Sequence, residues 1–292
     1  MTILLDSITE VLDEFDCAVL DQWGVLHDGT TLYPGVVPCL EKIRRAGKAI
    51  VVLSNSGKRA APNRERIESM GVPSGLIDNV ITSGEILWNE IREARFGDFG
   101  SRLFRAIAIT RTPNDLQEWL AGLNSVSVVE NVDKAEVVLF LGTPDGVGEG
   151  HFDDLLNSAR ANGLLLVCAN PDKSSPRSTG GVISPGFFAD RYSRMCGQVV
   201  NYGKPFPAVF DAVRKTGLAK TADRYLMIGD SLEHDIAGAK QAGMKTLFVR
   251  GGLLADNFEG ILESDDIRRT LTERSNSFLP AVVPDYSVHY LN

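Results

Sequence analysis

Cys17-Ala18-Val19-Leu20-Asp21-Gln22-Trp23-Gly24-Val25-Leu26-His27-Asp28-Gly29 is the stretch on which the reading of the fold turns. Cys17 to Leu20 run without a polar interruption and end on a carboxylate, Asp21. Gly24 follows, then a second apolar step at Val25-Leu26 and a polar turn at His27-Asp28-Gly29. A short continuous apolar run bounded by turn residues is the pattern of a strand buried on both faces of an α/β sheet. Ligands of such sheets sit outside the carboxyl ends of the strands. Asp21 therefore stands where a catalytic carboxylate belongs. An aspartate that merely ends a strand in a turn looks the same over this stretch, so the rest of the chain has to decide.

The chain of 292 residues is long for one domain and comfortable for two. Hydrophobic residues make up 43% and charged residues 23%, ordinary for a soluble globular protein. A net charge of -8 argues against a general nucleic-acid binder. Any phosphate bound here needs local positive charge, from a metal or from a few placed lysines and arginines. Cys17, Cys39, Cys168 and Cys196 show no metal-like spacing, and Cys17 and Cys168 lie in apolar runs. They read as free thiols in a reducing compartment. No apolar run approaches the ~18 residues of a membrane span, and the start, Met-Thr-Ile-Leu-Leu-Asp, lacks the features of a signal peptide. The expected location is the cytoplasm.

Apolar runs of strand length alternate with helical patterns almost throughout. Strands are expected at 17–20, 49–53, 105–110, 137–141, 164–169, 198–201, 225–228 and 246–249. Helices are expected near 36–46, 62–70, 83–96, 114–120, 151–162, 187–196, 208–216 and 235–242, with Ser83 as an N-cap. This alternation implies an α/β fold, a mostly parallel sheet with helices on both faces. Residues 275–292 show no clear period.

Three more strand ends carry polar groups of different kinds. Ala49-Ile-Val-Val-Leu-Ser54-Asn55 offers a hydroxyl and then backbone N–H groups; Asn201-Tyr-Gly-Lys204-Pro offers a lysine between glycine and proline. Leu226-Met-Ile-Gly-Asp230-Ser-Leu-Glu-His-Asp235 offers two carboxylates, one ending a strand and one opening a helix. Taken singly, Ser54 and Asn55 could be turn formers, Lys204 a surface lysine and Asp235 a helix N-cap. Glycine followed by two acids at a strand end suits a divalent cation.

Asp21 in an Asp-x-x-Gly-Val strand end, Ser54-Asn55, Gly203-Lys204-Pro205 and Gly229-Asp230-x-x-x-x-Asp235 together resemble, in order, the four motifs of the haloacid dehalogenase superfamily. About 150 residues separate the second motif from the third, with Asn170-Pro171-Asp172 and Ser184-Pro185-Gly186 toward their end. That arrangement looks like subclass IIA, the NagD-like and 4-nitrophenylphosphatase-like phosphatases. The resemblance implies a Rossmann-like doubly wound core at 1–82 and 185–292, with an inserted α/β cap at 83–184. It also implies that Asp21 attacks phosphorus and forms an aspartyl-phosphate that water hydrolyses. Mg2+ would lie between Asp21, the Trp23 backbone carbonyl and Asp230, oriented by Asp235. Ser54 and the Asn55 N–H would hold phosphoryl oxygens, and Lys204 would neutralise their charge.

One position departs from the pattern. Most phosphatases of the superfamily carry a second aspartate two residues after the nucleophile, which protonates the leaving alkoxide and later deprotonates the water. Trp23 stands there, and indole offers one N–H donor and no usable acidity. A positioned acid or base contributes ~10²- to 10⁴-fold in rate. Three readings follow. His27, Asp28 or a cap residue could substitute; the leaving group could need no proton, as with an aryl or acyl phosphate; or the chain could bind a phospho-ligand without turning it over. Dehalogenation fits poorly, because dehalogenases of the superfamily work without metal while Asp230 and Asp235 keep the metal pattern.

In the cap, the loop Asn170-Pro-Asp-Lys-Ser-Ser-Pro-Arg177 follows a strand and could face substrate, with Asp172, Lys173 and Arg177 as contacts. A solvated loop is the alternative. Trp88 and Trp119 are read as packing residues, and Lys58 and Arg59 as the start of a helix. The expected partner is a small phosphorylated metabolite, with no nucleic acid and no membrane; a homodimer through the cap is compatible but nothing demands it.

Overall fold

The computed structural model describes residues 2–100, 102–175, 182–277 and 282–292. Along the chain the first strands are β1 (Ile3–Leu4), β2 (Cys17–Leu20), β3 (Ala49–Ser54), β4 (Asn79–Thr82), β5 (Phe104–Ile109), β6 (Val126–Val128) and β7 (Val137–Phe140). They are followed by β8 (Leu165–Cys168), β9 (Ser174–Ser175), β10 (Val182–Ile183), β11 (Val199–Asn201), β12 (Tyr225–Gly229), β13 (Lys245–Val249) and β14 (Tyr286–Val288). The chain forms two compact units. Residues 1–54, 64–81 and 204–292 make the first, and residues 55–63 and 82–203 the second.

The first unit holds a sheet of order β1-β14-β13-β12-β2-β3-β4. From β1 through β3 every neighbouring pair is parallel. β2 lies inside it, between β12 and β3, and all four of its side chains are shut off from solvent. That explains its unbroken apolar run: a central parallel strand has no face to show to water. β2 is followed in the sheet by β3 on one side, and the chain returns on its other side with β12. The strand order reverses there, and the carboxyl ends of β2 and β12 flank the crevice that such a reversal opens. The helix Val36–Arg45 covers β3. It buries Val36, Cys39, Leu40 and Ile43, the spacing of one helical stripe.

The second unit is built on a sheet of order β11-β8-β7-β5-β6, parallel throughout, with a small antiparallel pair of β9 and β10 beside it in sequence. Alternate residues of β7 feed opposite faces, as the two-residue period of a strand requires. Val137 and Leu139 join a core with Leu87, Trp88, Ile91 and Trp119. Val138 and Phe140 join another with Leu156, Phe188 and Tyr192. Trp88 and Trp119 are thus packing residues of the helices Ser83–Arg92 and Pro113–Leu120.

The expected boundary at residue 184 needs correction. The helix Pro185–Arg194 and β11 belong to the second unit, which continues to Gly203. Phe188 and Tyr192 pack on the second sheet, the Tyr192 hydroxyl donates to the Leu164 carbonyl at 2.7 Å, and β11 pairs with β8. Residues 55–63, expected in the core, also cluster with the second unit. Sequence periodicity shows that a helix has an apolar stripe but not which sheet that stripe covers.

Smaller differences are local. Thr82 rather than Ser83 caps the helix that follows, its Oγ1 accepting the Glu85 N–H at 3.0 Å. The expected helix 235–242 begins as a wide π-type turn, Leu232–Ile236, before the regular Ala237–Gln241. Residues 275–292 contain the end of a helix, Ser264–Asn276, and β14. Cys17, Cys39 and Cys168 are buried and all four cysteines are free; burial pushes the Cys17 thiol up to about 12. Among the described residues no helix is long and apolar enough to cross a membrane.

Candidate active site

Asp21 is the first residue beyond β2. Its N–H donates to the Ile228 carbonyl at 3.0 Å, which extends the β2–β12 ladder by one rung and brings Asp21 level with the end of β12. Asp230 follows that strand end directly. Asp235 lies inside the π-type turn, where its Oδ2 accepts the Ser231 N–H at 3.0 Å. These steps converge three carboxylates: oxygens of Asp21, Asp230 and Asp235 all lie within 4.8 Å of one another. Ser54 ends β3, the other neighbour of β2, and is buried at the same end of the sheet.

Lys204 closes the cluster. Its Nζ is 2.6 Å from Asp21 Oδ1 and 2.7 Å from Asp235 Oδ1, and its side chain is 2% exposed. Burial disfavours the ammonium, but Asp21 and Asp235 outweigh it and hold Lys204 above the usual lysine range. Asp230 moves the other way from an ordinary carboxylate. Burial, then the charges of Asp21 and Asp235, push it well above the usual range, while the Leu253 N–H, donating to Oδ2 at 2.7 Å, works against them.

The donor set fits a divalent ion. Three hard oxygen donors face one lysine, so the cluster carries an excess of two negative charges when ionised, and carboxylate oxygens are the ligands that magnesium prefers. Backbone shape supports the same geometry. Gly24 has φ +76°, and a Cβ there would fall 1.7 Å from Asp230 Oδ2, so only glycine lets the chain pass so near that carboxylate.

The Trp23 side chain packs among residues of its own loop and Arg66. Its ring lies on Gly29, where a Cβ would come within 2.1 Å of it, and it meets His27 edge-on at a centroid distance of 5.2 Å. The Arg66 guanidinium stands 4.9 Å from the ring centroid, and its Nη2 donates to the Gly29 carbonyl at 2.7 Å.

Two of the sequence-predicted stand-ins for the missing acid, His27 and Asp28, are engaged in contacts of their own loop. His27 is fully buried rather than solvated, and its Nδ1 accepts the Gly29 N–H at 3.0 Å. Burial, then the charge of Arg66, lowers its pKa to about 4, so it is neutral at pH 7. Asp28 is exposed and accepts from the N–H groups of Thr30 and Thr31 at 2.8 Å. Those bonds, Thr31 first, hold it below the usual carboxylate range, so it has no proton to give.

His27 leaves a measurable trace. Its pKa drops from near 6.5 in the unfolded chain to about 4 in the folded one. The unfolded state therefore binds more protons between these values. The stability His27 permits is complete above pH 6.5 and is lost as pH falls toward 4. Between pH 7 and pH 5 that loss is about 2 kcal/mol. His27→Asn, which retains an acceptor for Gly29, is expected to flatten this part of the stability–pH curve measured by urea unfolding. A curve parallel to wild type over pH 5–7 would show that His27 is not the group.

The second unit holds Asn55, Asp172 and Lys173. Asn55 Nδ2 donates to Asp172 Oδ1 at 2.8 Å, so these two are brought together. Lys173 is exposed, with its Nζ 3.9 Å from Asp190. Arg177 lies outside the described residues. Lys58 and Arg59 immediately precede the helix Ala60–Ser69. Lys58 pairs with Asp115 at 2.8 Å, and Arg59 with Glu85 at 2.6 Å while lying 3.5 Å from the Trp88 ring centroid.

A family profile for haloacid dehalogenase-like hydrolases matches residues 18–107, and a second, HAD-hydrolase-like, matches residues 201–273. The chain belongs to the haloacid dehalogenase-like hydrolases. Its insertion between the second and third motifs places it with subclass IIA, the NagD-like and 4-nitrophenylphosphatase-like group. The sugar-phosphatase AraL of Bacillus subtilis (strain 168) is 27% identical over 239 residues, which cover 80% of this chain and 82% of that protein. The crystal structure of a haloacid dehalogenase-like hydrolase from Brucella suis 1330 matches with a TM-score of 0.80 at 26% identity, over 99% of this chain and 100% of that one. A 4-nitrophenylphosphatase from Thermotoga maritima matches with a TM-score of 0.68 at 25% identity, over 95% of both chains.

Proposed function

We propose that this chain is a magnesium-dependent phosphatase that removes a phosphoryl group from a small phosphorylated metabolite through an aspartyl-phosphate on Asp21. The observation that carries the reading is the convergence of Asp21, Asp230 and Asp235 at the strand-order reversal, with Lys204 paired to Asp21 and Asp235. The likeness to a sugar-phosphatase supports a small phosphorylated substrate, and the buried reduced cysteines go with a cytoplasmic setting.

In this reading an Asp21 carboxylate oxygen attacks phosphorus, the P–O bond to the leaving group breaks, and the bonding pair leaves on the departing oxygen. Water then attacks the acyl-phosphate, releasing phosphate and restoring the carboxylate. Lys204 fixes the attacking carboxylate by its ion pair and places positive charge beside the phosphoryl oxygens, which Ser54 and the Asn55 N–H would also hold. Magnesium, when bound by Asp21, the Trp23 carbonyl and Asp230 with Asp235 behind them, offsets the negative charge of the phosphoryl group.

Trp23 sets the limit of this chemistry. With an indole seated on Gly29, His27 neutral and buried, and Asp28 ionised, the departing oxygen leaves without a proton from this loop. Acetyl phosphate and 4-nitrophenyl phosphate are therefore expected to turn over far faster than glycerol phosphate in the presence of magnesium. Trp23→Asp is expected to speed glycerol phosphate by ~10²-fold or more, the lower end of what a positioned acid supplies, with much less gain on the aryl ester. Equal gains on both would remove the missing-acid explanation. Binding of magnesium and phosphate with no turnover of any of the three would instead make the chain a phospho-ligand-binding protein on an enzyme fold.

A further inference from the structure

Within the first unit, the segment after β13 and the segment after β14 line an open cavity of about 600 Å³. Neither the three carboxylates nor Lys204 borders it. Arg250, Phe258, Ile261, Ile267, His289 and Tyr290 are among its walls, and the volume is in the range of small-molecule sites.

Arg250 is the anomaly. It is 8% exposed, and Nη1 makes its one side-chain hydrogen bond among the described residues, to Ser287 Oγ at 3.0 Å. Among those residues it forms no ion pair with a carboxylate, and burial alone acts on its guanidinium. Buried charges in proteins are ordinarily paired, because an unpaired one forfeits hydration without compensation. Arginine stays protonated regardless, and its planar fork suits a carboxylate or a phosphoryl group. Beside it, burial and the charge of Arg250 favour neutral His289. The opposite character is supplied by Phe258 and Ile267, both buried apolar walls. Asp256 and Glu259 also line the cavity and are exposed, which disfavours a ligand carrying several negative groups.

We infer that this cavity binds a small organic anion, its single carboxylate or phosphoryl head on Arg250 and its apolar body against Phe258, Ile261 and Ile267. The site is separate from the proposed catalytic one and does not depend on it. The test is calorimetric titration of the full chain with benzoate and with phenylphosphonate, repeated in Asp21→Asn to set aside binding at the carboxylate cluster. At least one of the two is expected to bind saturably, equally well in Asp21→Asn, and the preferred one names the head group. Arg250→Leu should weaken it about tenfold to hundredfold, the worth of a charge-assisted hydrogen bond. Should Arg250→Leu fail to fold, Ile261→Trp, which fills the apolar end and keeps the charge, is expected to weaken binding to the same degree. Absence of saturable binding by both compounds, or undiminished binding in Ile261→Trp, overturns the assignment.

Discussion

Asp21→Asn is expected to abolish magnesium-dependent phosphate release, by about 10⁴-fold or more, as removal of a covalent nucleophile does. The change keeps the shape of the side chain and leaves Lys204 its second partner, Asp235. It removes only the anionic oxygen that would attack phosphorus. The same variant is expected to unfold at equal or higher urea concentration in chelator, because Asp21 is one of the charges that hold Asp230 above its usual range. Activity and stability should therefore move in opposite directions. Wild-type turnover in Asp21→Asn would sink the assignment of the nucleophile, and trapping of beryllofluoride on the wild type but not on the variant would support it.

The second large effect is expected at Lys204. Lys204→Met preserves length and apolar stem but strips the cation from between two carboxylates. Breaking a buried pair leaves uncompensated charge, which typically costs about 3–5 kcal/mol. In chelator the urea midpoint should fall accordingly. Magnesium should restore part of the loss, since an ion that binds only the folded state stabilises it by mass action. The double variant with Asp21→Asn should be less destabilised than the two single effects predict, because one of the stranded charges is gone. A midpoint unchanged in Lys204→Met would mean that the carboxylates are neutral without their lysine.

What the sequence disclosed is what physics writes locally. A strand buried on both faces is largely apolar, so β2, β3, β7, β8 and β12 stand out as runs, and the polar residues at the ends of β2, β3 and β12 mark the ligand-facing end of a parallel sheet. Asp21, Ser54 and Asp230 were legible for that reason. β14 was not: it is three residues long, and its middle residue is a buried serine whose hydroxyl donates to the Phe248 carbonyl and accepts from Arg250. A polar residue satisfied by tertiary partners is indistinguishable in sequence from one in a loop. The allegiance of the helix Pro185–Arg194 was hidden because its apolar stripe is equally suited to either sheet. His27 read as part of a polar turn, and only the packing of Trp23, Gly29 and Arg66 around it makes it a buried neutral residue. Arg250 left no signal at all, since an arginine after a strand is ordinary until its burial is known.

The place of β14 has a consequence for how this protein is made. In the first sheet β14 lies between β13 and β1, and β14 is the strand that β1 pairs with. During synthesis on the ribosome, Ile3–Leu4 has no sheet neighbour to hydrogen-bond with until Tyr286–Val288 has left the exit tunnel. From the time β13 emerges until β14 follows it, one flank of β13 is likewise open. The nascent chain thus carries an unpaired strand edge, the kind of surface that invites pairing with other chains. The gap between β13 and β1 closes only when β14 inserts between them.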